Sequence, residues 1–298
     1  MKTLLHRGPF YATVLCLGAV SLQAALPFYE PFDYSPVGAD LTGQTPDGGT
    51  TVWQVMGTSG GVTGTDPITI ASGSLTIPSL PSLGNSITYG GLGLTNRVPL
   101  GLTINTGTVY YSFAFQVTDL GGLTTNGGFM AGFNNATGNV GNQPTAIATR
   151  VVTRLSGSGF QVGLDKSSGQ VGSFVFAAPV FNVGDTVFVV GSYTFNSGST
   201  TDDESKLWVN PDPSSFGLGI EPSGALTSLA TNDFAQIASF LFRQGNTSAV
   251  PGTVIADELR LDTTWAGVTS NIPEPTSVML LSLVGGAGLL LRQRGLRR

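Results

Sequence analysis

Apolar and polar residues alternate with a period of two through much of the chain between residues 26 and 272. Thr108–Val117 sets Val109, Tyr111, Phe113, Phe115 and Val117 against Tyr110, Ser112, Ala114 and Gln116. Phe160, Val162 and Leu164 repeat the pattern, Val187–Phe195 and Leu207–Val209 continue it, and Leu259 and Leu261 close it. Such alternation predicts strands with one buried and one exposed face, as in packed antiparallel sheets. Loops rich in Gly, Asn, Ser, Thr and Pro separate the runs. No segment carries a long helical period; Ala235–Phe242 fits a strand with room for a short helical turn before it. No repeat of fixed period favours a propeller or β-helix. The loosest break, Asn196–Asp203, leaves too few strands on each side for two cores. The pattern therefore predicts an all-β fold, an antiparallel β-sandwich or jelly roll, as one domain over residues 26–270.

The ends read differently. Lys2 and Arg7 precede the apolar run Phe10–Leu22, and Gln23, Ala24 and Ala25 follow as a small-residue cleavage zone. Residues 1–25 thus have the form of a helical signal peptide for signal peptidase. At the other end, Pro273-Glu274-Pro275 precedes the apolar run Val278–Leu291, and Arg292, Arg294, Arg297 and Arg298 close the chain. That run is shorter than the about 20 residues of a full span, although flanking arginines can snorkel. Residues 271–298 are read as a transmembrane helix with its arginines on the cytoplasmic side, leaving the domain outside.

Charge sharpens this division. The chain carries a formal net charge of −5. Residues 26–272 hold 17 acids against 7 bases, whereas both ends are basic. An acidic domain with few cations argues against nucleic acid as a partner. The single cysteine, Cys16, and the single histidine, His6, both lie in the signal segment. The processed domain would hold neither thiol nor imidazole, which excludes Ser-His-Asp and Cys-His nucleophiles, histidine metal ligands and thiolate zinc sites.

Pro273-Glu274-Pro275-Thr276-Ser277, the apolar run and the arginine-rich end together closely resemble the PEP-CTERM sorting signal. The resemblance implies an exosortase as processing partner, cleavage near Pro273–Pro275, and display at the surface or in the extracellular matrix of a Gram-negative bacterium that makes exopolysaccharide. Membrane attachment through the tail would be transient. A second resemblance runs through the domain. Tyr29-Glu30-Pro31-Phe32-Asp33-Tyr34 with Gly38 and Leu41, then Ser72-Gly73-Ser74-Leu75, Lys206-Leu207-Trp208-Val209-Asn210-Pro211, and finally Asp257-Glu258-Leu259-Arg260-Leu261 with Thr264-Trp265 are similar to LamG/concanavalin-like domains.

That likeness implies a concanavalin-like jelly roll and, as a candidate cofactor, Ca2+. Its oxygen-only coordination suits Asp257 with Glu30 or Asp33, because the terminal strands of such domains are neighbours. For glycan binding the candidate is Trp208, whose neighbours Leu207 and Val209 face the other way; core packing is the competing reading. No catalytic residue is assigned. The Glu-x-Asp-x-x-Glu string of laminarinase-type members is missing, Asp202-Asp203-Glu204 reads as a solvated turn, and Asp257 and Glu258 should diverge if their strand is regular. The expectation is an exported, non-catalytic module that binds or organises extracellular polysaccharide. A glycan hydrolase of the same fold and a protein-binding adhesin or coat component remain as alternatives.

Overall fold

The computed structural model describes residues 26–47, 51–57, 66–136, 144, 146–167, 171–228, 233–245 and 250–270. The signal segment and the sorting tag, with the helices expected in them, lie outside the described residues. Among the described residues fifteen strands and one short α-helix follow in chain order. The first are β1 (Phe28–Glu30), β2 (Gln54–Met56), β3 (Thr69–Ala71), β4 (Ser86–Tyr89) and β5 (Thr95–Ile104). Next come β6 (Gly107–Asp119), β7 (Gly128–Asn134), β8 (Ile147–Ser156), β9 (Gly159–Asp165) and β10 (Val175–Phe176). The last are β11 (Thr186–Phe195), β12 (Glu204–Val209), β13 (Leu226–Ser228), β14 (Ile237–Phe242) and β15 (Thr253–Asp262), followed by α1 (Trp265–Thr269). No helix among the described residues is long and apolar enough to cross a membrane.

The strands pair antiparallel in two sheets. Sheet I runs β13-β12-β11-β6-β15-β4-β3, with β1 also paired to β15. Sheet II runs β10-β9-β8-β7-β14-β5-β2. The expected all-β sandwich is therefore present, and Ile237–Phe242 is an interior strand of sheet II, between β7 and β5.

The core between the sheets is set by the alternation in the sequence. Val109, Tyr111, Phe113, Phe115 and Val117 of β6 face it, opposed by Phe133, Val151, Val162, Phe240 and Phe242 from sheet II. Rings of Phe113 and Phe242 meet edge-on at 5.3 Å, and Tyr111 packs at 5.1 Å against both Phe133 and Phe240. Burying each such side chain contributes about 1.5–3 kcal/mol, with edge-to-face pairs adding about 0.5–1.5 kcal/mol. Tyr111 lies across Gly191, its partner in the β6–β11 register, where a Cβ would stand 2.2 Å from the ring. Its hydroxyl donates to Thr149 O at 2.7 Å, which satisfies the one polar atom the ring brings into the core.

The other face of β6 departs from expectation. Tyr110 and Ala114, together with Phe188, Val190 and Trp208, form a second core on the outer side of sheet I. It is covered by Leu75, Ile77, Leu80, Trp265 and Val268. Thr264 caps α1 by accepting from Gly267 N, and Ser112 Oγ donates to Val268 O at 2.6 Å, fixing the helix to the sheet. Sheet I is thus buried on both sides over this region. Alternation reports which residues share a face, and a second layer can still cover the face that looks solvent-directed.

Candidate functional site

The outer face of sheet II is built differently. Register places Arg150 opposite Asp165, Arg154 opposite Gln161, Leu241 opposite Arg97, and Arg97 opposite Gln54. Phe240 and Phe242 of β14 point into the core, so Leu241 between them points outward, as does its partner Arg97. Val151 and Val162 point inward, so Arg150 and Arg154 also point outward. Arg243 follows β14 in the same phase, its N–H donating to Met130 O. Four of the five arginines in residues 26–272 therefore converge on one face of an acidic domain.

Two aromatic rings organise them. Guanidiniums of Arg150 and Arg243 pack over the Phe129 ring, at 4.5 Å and 4.1 Å from its centroid. Arg154 lies over Phe176 at 4.0 Å and donates from Nε and Nη2 to Gln161 Oε1 at 3.0 and 2.7 Å. Phe176 can lie there because its partner in the ladder is Gly163, where a Cβ would stand 2.7 Å from the ring. Cation–π packing of this kind is worth about 0.5–2 kcal/mol and fixes the guanidinium plane.

The face grades from closed to open. Arg97 is fully buried; it donates to Gln54 Oε1 at 3.0 Å and to Ala136 O at 3.2 Å, and Ser239 Oγ donates to the same carbonyl at 2.6 Å. Arg150 is buried too, forming an ion pair with Asp165 at 3.1 Å and donating to Ile147 O at 2.8 Å. Phe129, Arg154, Gln161, Phe176 and Arg243 are partly exposed. Burial lowers the pKa values of Arg97 and Arg150, the latter against the opposing pull of Asp165. Burial first, and then the neighbouring Arg150 charge, bring Arg243 down to about 10. All stay cationic at neutral pH. Planar forks held in low dielectric can bind carboxylate or sulfate groups in bidentate fashion. Such a face suits retention of an acidic polymer.

The residues expected to ligate calcium are not brought together. Glu30 pairs with Leu259 and points into the core, where it accepts from Trp53 Nε1 at 3.1 Å, Phe32 N at 2.8 Å and the Tyr34 hydroxyl at 2.5 Å. Asp257 points to the opposite, outer side of sheet I and accepts from Ser74 Oγ at 2.5 Å and Leu75 N at 2.7 Å. Asp33 is exposed. Terminal strands do neighbour one another, but successive side chains alternate across the sheet, and the two buried acids fall on opposite sides.

Asp257 and Glu258 also differ from a regular strand. A register shift between Asp257 and Arg260, with Glu258 at φ 59°, leaves both acids engaged by one segment. Asp257 accepts from Ser74 and Leu75, while Glu258 accepts from Leu83 N at 2.7 Å, the Tyr29 hydroxyl and Arg260 Nη2. Trp208 faces away from the main core as foreseen, yet it is buried against Trp265 and donates from Nε1 to Pro222 O at 2.9 Å. It offers no platform for a sugar. Asp203 is buried and accepts from the Tyr193 hydroxyl and Asn196 N, both at 2.6 Å, so the expected solvated turn is a structured one.

Asp202, Asp203 and Asp233 are the one group of three or more acids among the described residues whose oxygens lie within 4.8 Å of one another. Asp203 and Asp233 border an open depression of about 500 Å³. Lys166 Nζ donates to Asp233 at 2.7 Å, and backbone N–H groups of Asp202 and Asp203 donate to the same carboxylate. These contacts tie the β11–β12 connection to Asp233.

No protein-family model matches the chain, and no curated protein matches it. Solved structures similar to it include an alginate lyase in complex with an alginate tetrasaccharide, at TM-score 0.48 and 16% identity over 80% of this chain and 98% of that one. An endo-β-1,4-glucuronan lyase from the fungus Trichoderma reesei follows at 0.36 and 12%, over 71% and 96%. An alginate lyase from a Chlorella virus gives 0.36 and 12%, over 70% and 92%. With polysaccharide lyases among these structures, the expectation of a module without catalysis is withdrawn. Identities and scores this low leave those activities with those proteins.

Proposed function

We propose that the chain is an exported protein, sorted through its Pro-Glu-Pro tag to the bacterial surface or matrix, whose sheet II engages an acidic polysaccharide on its outer face. The observation that carries the site is the convergence of Arg97, Arg150, Arg154 and Arg243 on one face of a domain that otherwise carries excess acid. Arg154 and Arg243 are the partly exposed members of this group, and among the described residues neither has a carboxylate within ion-pair distance, which leaves their guanidiniums open to an anionic ligand. The basic and apolar ends support the export reading, since a polymer outside the cell is met only by a protein that leaves it.

Passing the full chain over an immobilised polyuronate and over a neutral glucan, at low salt, tests the site. Retention on the polyuronate with little on the glucan is expected. Equal retention on both, or none on any acidic polymer, overturns the reading. Unsaturated uronate ends appearing in the same incubation would assign an elimination to this face, and intact polymer a binding role. Export is tested by fractionating cells that express the chain with and without residues 271–298; identical distribution of the two overturns the sorting role.

A further inference from the structure

Arg243 is the least compensated cation of the domain. Arg150 has Asp165, Lys166 has Asp233, Lys206 has Glu204 and Glu221, and Arg260 has Glu258. Arg97 and Arg154 each place Nε on a glutamine amide oxygen. Among the described residues no carboxylate lies within ion-pair distance of Arg243, and its Nε is buried without an acceptor. The internal segments outside the described residues contain neither Asp nor Glu, so they supply no carboxylate. Its closest charged neighbour on the ring is Arg150, a like charge 4.5 Å from the centroid that Arg243 itself approaches at 4.1 Å.

Two guanidiniums on one ring repel, and a buried N–H without an acceptor is costly, so folding alone does not favour this arrangement. Such a costly, fixed geometry suits a missing partner of opposite charge. We propose that Arg243, with Arg150 beside it across Phe129, forms a subsite for one oxyanion of the polymer, a carboxylate or sulfate group that accepts from the Arg243 fork. This rests on the acidic-polysaccharide reading and narrows it to a residue. The anion would complete the acceptor set of Arg243 and screen it from Arg150, while Phe129 holds both planes in place.

Arg243→Met tests it, because methionine can cover Phe129 without charge or donors. Two opposite effects are expected. Removing an uncompensated charge leaves the thermal midpoint unchanged or higher, while retention on a polyuronate falls roughly tenfold, as for loss of a charged hydrogen-bonded pair. A variant that is clearly less stable and retained as well as the parent overturns the subsite, since Arg243 would then be structural. Arg243→Lys is the second variant: it keeps the charge, loses the fork, and should be retained less than the parent. Should the methionine variant not fold, unaltered retention of the lysine variant overturns the proposal. Carboxylated and sulfated polymers run in parallel tell the two oxyanions apart. If the parent binds neither, the broader reading fails; if the parent binds and both variants bind equally, only this subsite fails.

Discussion

Trp208 and Trp265 meet edge to face, ring centroids 5.0 Å apart and 65° between planes, on the outer side of sheet I. Both are buried, and each indole N–H has a carbonyl acceptor, Pro222 O and Ser215 O respectively. This pair joins β12 to α1 and seals the second core. Trp208→Ala should destabilise the domain by about 3–5 kcal/mol, as expected for a large aromatic removed from a packed site. Urea unfolding followed by tryptophan fluorescence checks this. Folded variant should be retained on a polyuronate as the parent is; a selective loss of retention at unchanged stability would return Trp208 to the binding site.

Asp165 compensates Arg150 at the closed end of sheet II's outer face. Both side chains are buried, and Asp165 also accepts from Ser173 Oγ at 2.9 Å. Removing one partner of a buried pair leaves an uncompensated charge, at a cost of about 3–5 kcal/mol. Asp165→Asn should therefore unfold at lower denaturant concentration. Its outer face also becomes more cationic, so the folded variant should elute from a polyuronate at higher salt. Lower stability together with earlier elution would separate Asp165 from the electrostatics of this face.

The main core was legible because Val109, Tyr111, Phe113, Phe115 and Val117 keep one phase through a single strand. The arginine face was not, although each strand held half of the information. Arg243 is out of phase with Phe240 and Phe242, and Arg150 and Arg154 are out of phase with Val151, so each could be read as facing away from the core. That β8, β14 and β5 lie in one sheet comes from strand order, which local alternation does not encode. The calcium grouping erred for a related reason. Neighbouring terminal strands were foreseen, but the phase that sends Glu30 inward and Asp257 outward follows from the β1–β15 register and the bulge at Glu258. Core packing, the reading that competed with glycan binding at Trp208, is what the structure shows, and the cover that makes this core comes from distant segments around Leu75–Leu80 and Trp265.

Two buried acids give the fold an unusual response to pH. Burial pushes Asp257 up to about 8, aided by the nearby Glu258 and opposed by hydrogen bonds from Ser74 and Leu75. Burial likewise pushes Glu30 up to about 7 against its three donors. In the unfolded chain both titrate near about 4. Between about pH 4 and about pH 8 the native state binds more protons than the unfolded state, so stability falls as pH rises. The contribution is complete below the unfolded pKa values and lost as pH passes through the folded ones. Thermal midpoints measured across this range should decline, and Asp257→Asn should flatten the upper part of the decline. A midpoint that climbs steadily from about pH 5 to about pH 8 would contradict this.

Arg154 offers a graded test of the open end. Its guanidinium stacks on Phe176 and donates from Nε and Nη2 to Gln161, so it is better supplied with acceptors than Arg243, whose Nε has none. Contacts between solvated charges are screened over about 10 Å at 0.1 M salt and about 3 Å at 1 M. The parent should therefore elute from a polyuronate with rising salt, and Arg154→Gln should elute earlier but by a smaller margin than Arg243→Met. Stability should change little, since an exposed charged contact contributes about 0–1 kcal/mol. Elution of Arg154→Gln at the parent's salt concentration would place the polymer's path nearer to Arg243, away from the β9–β10 edge.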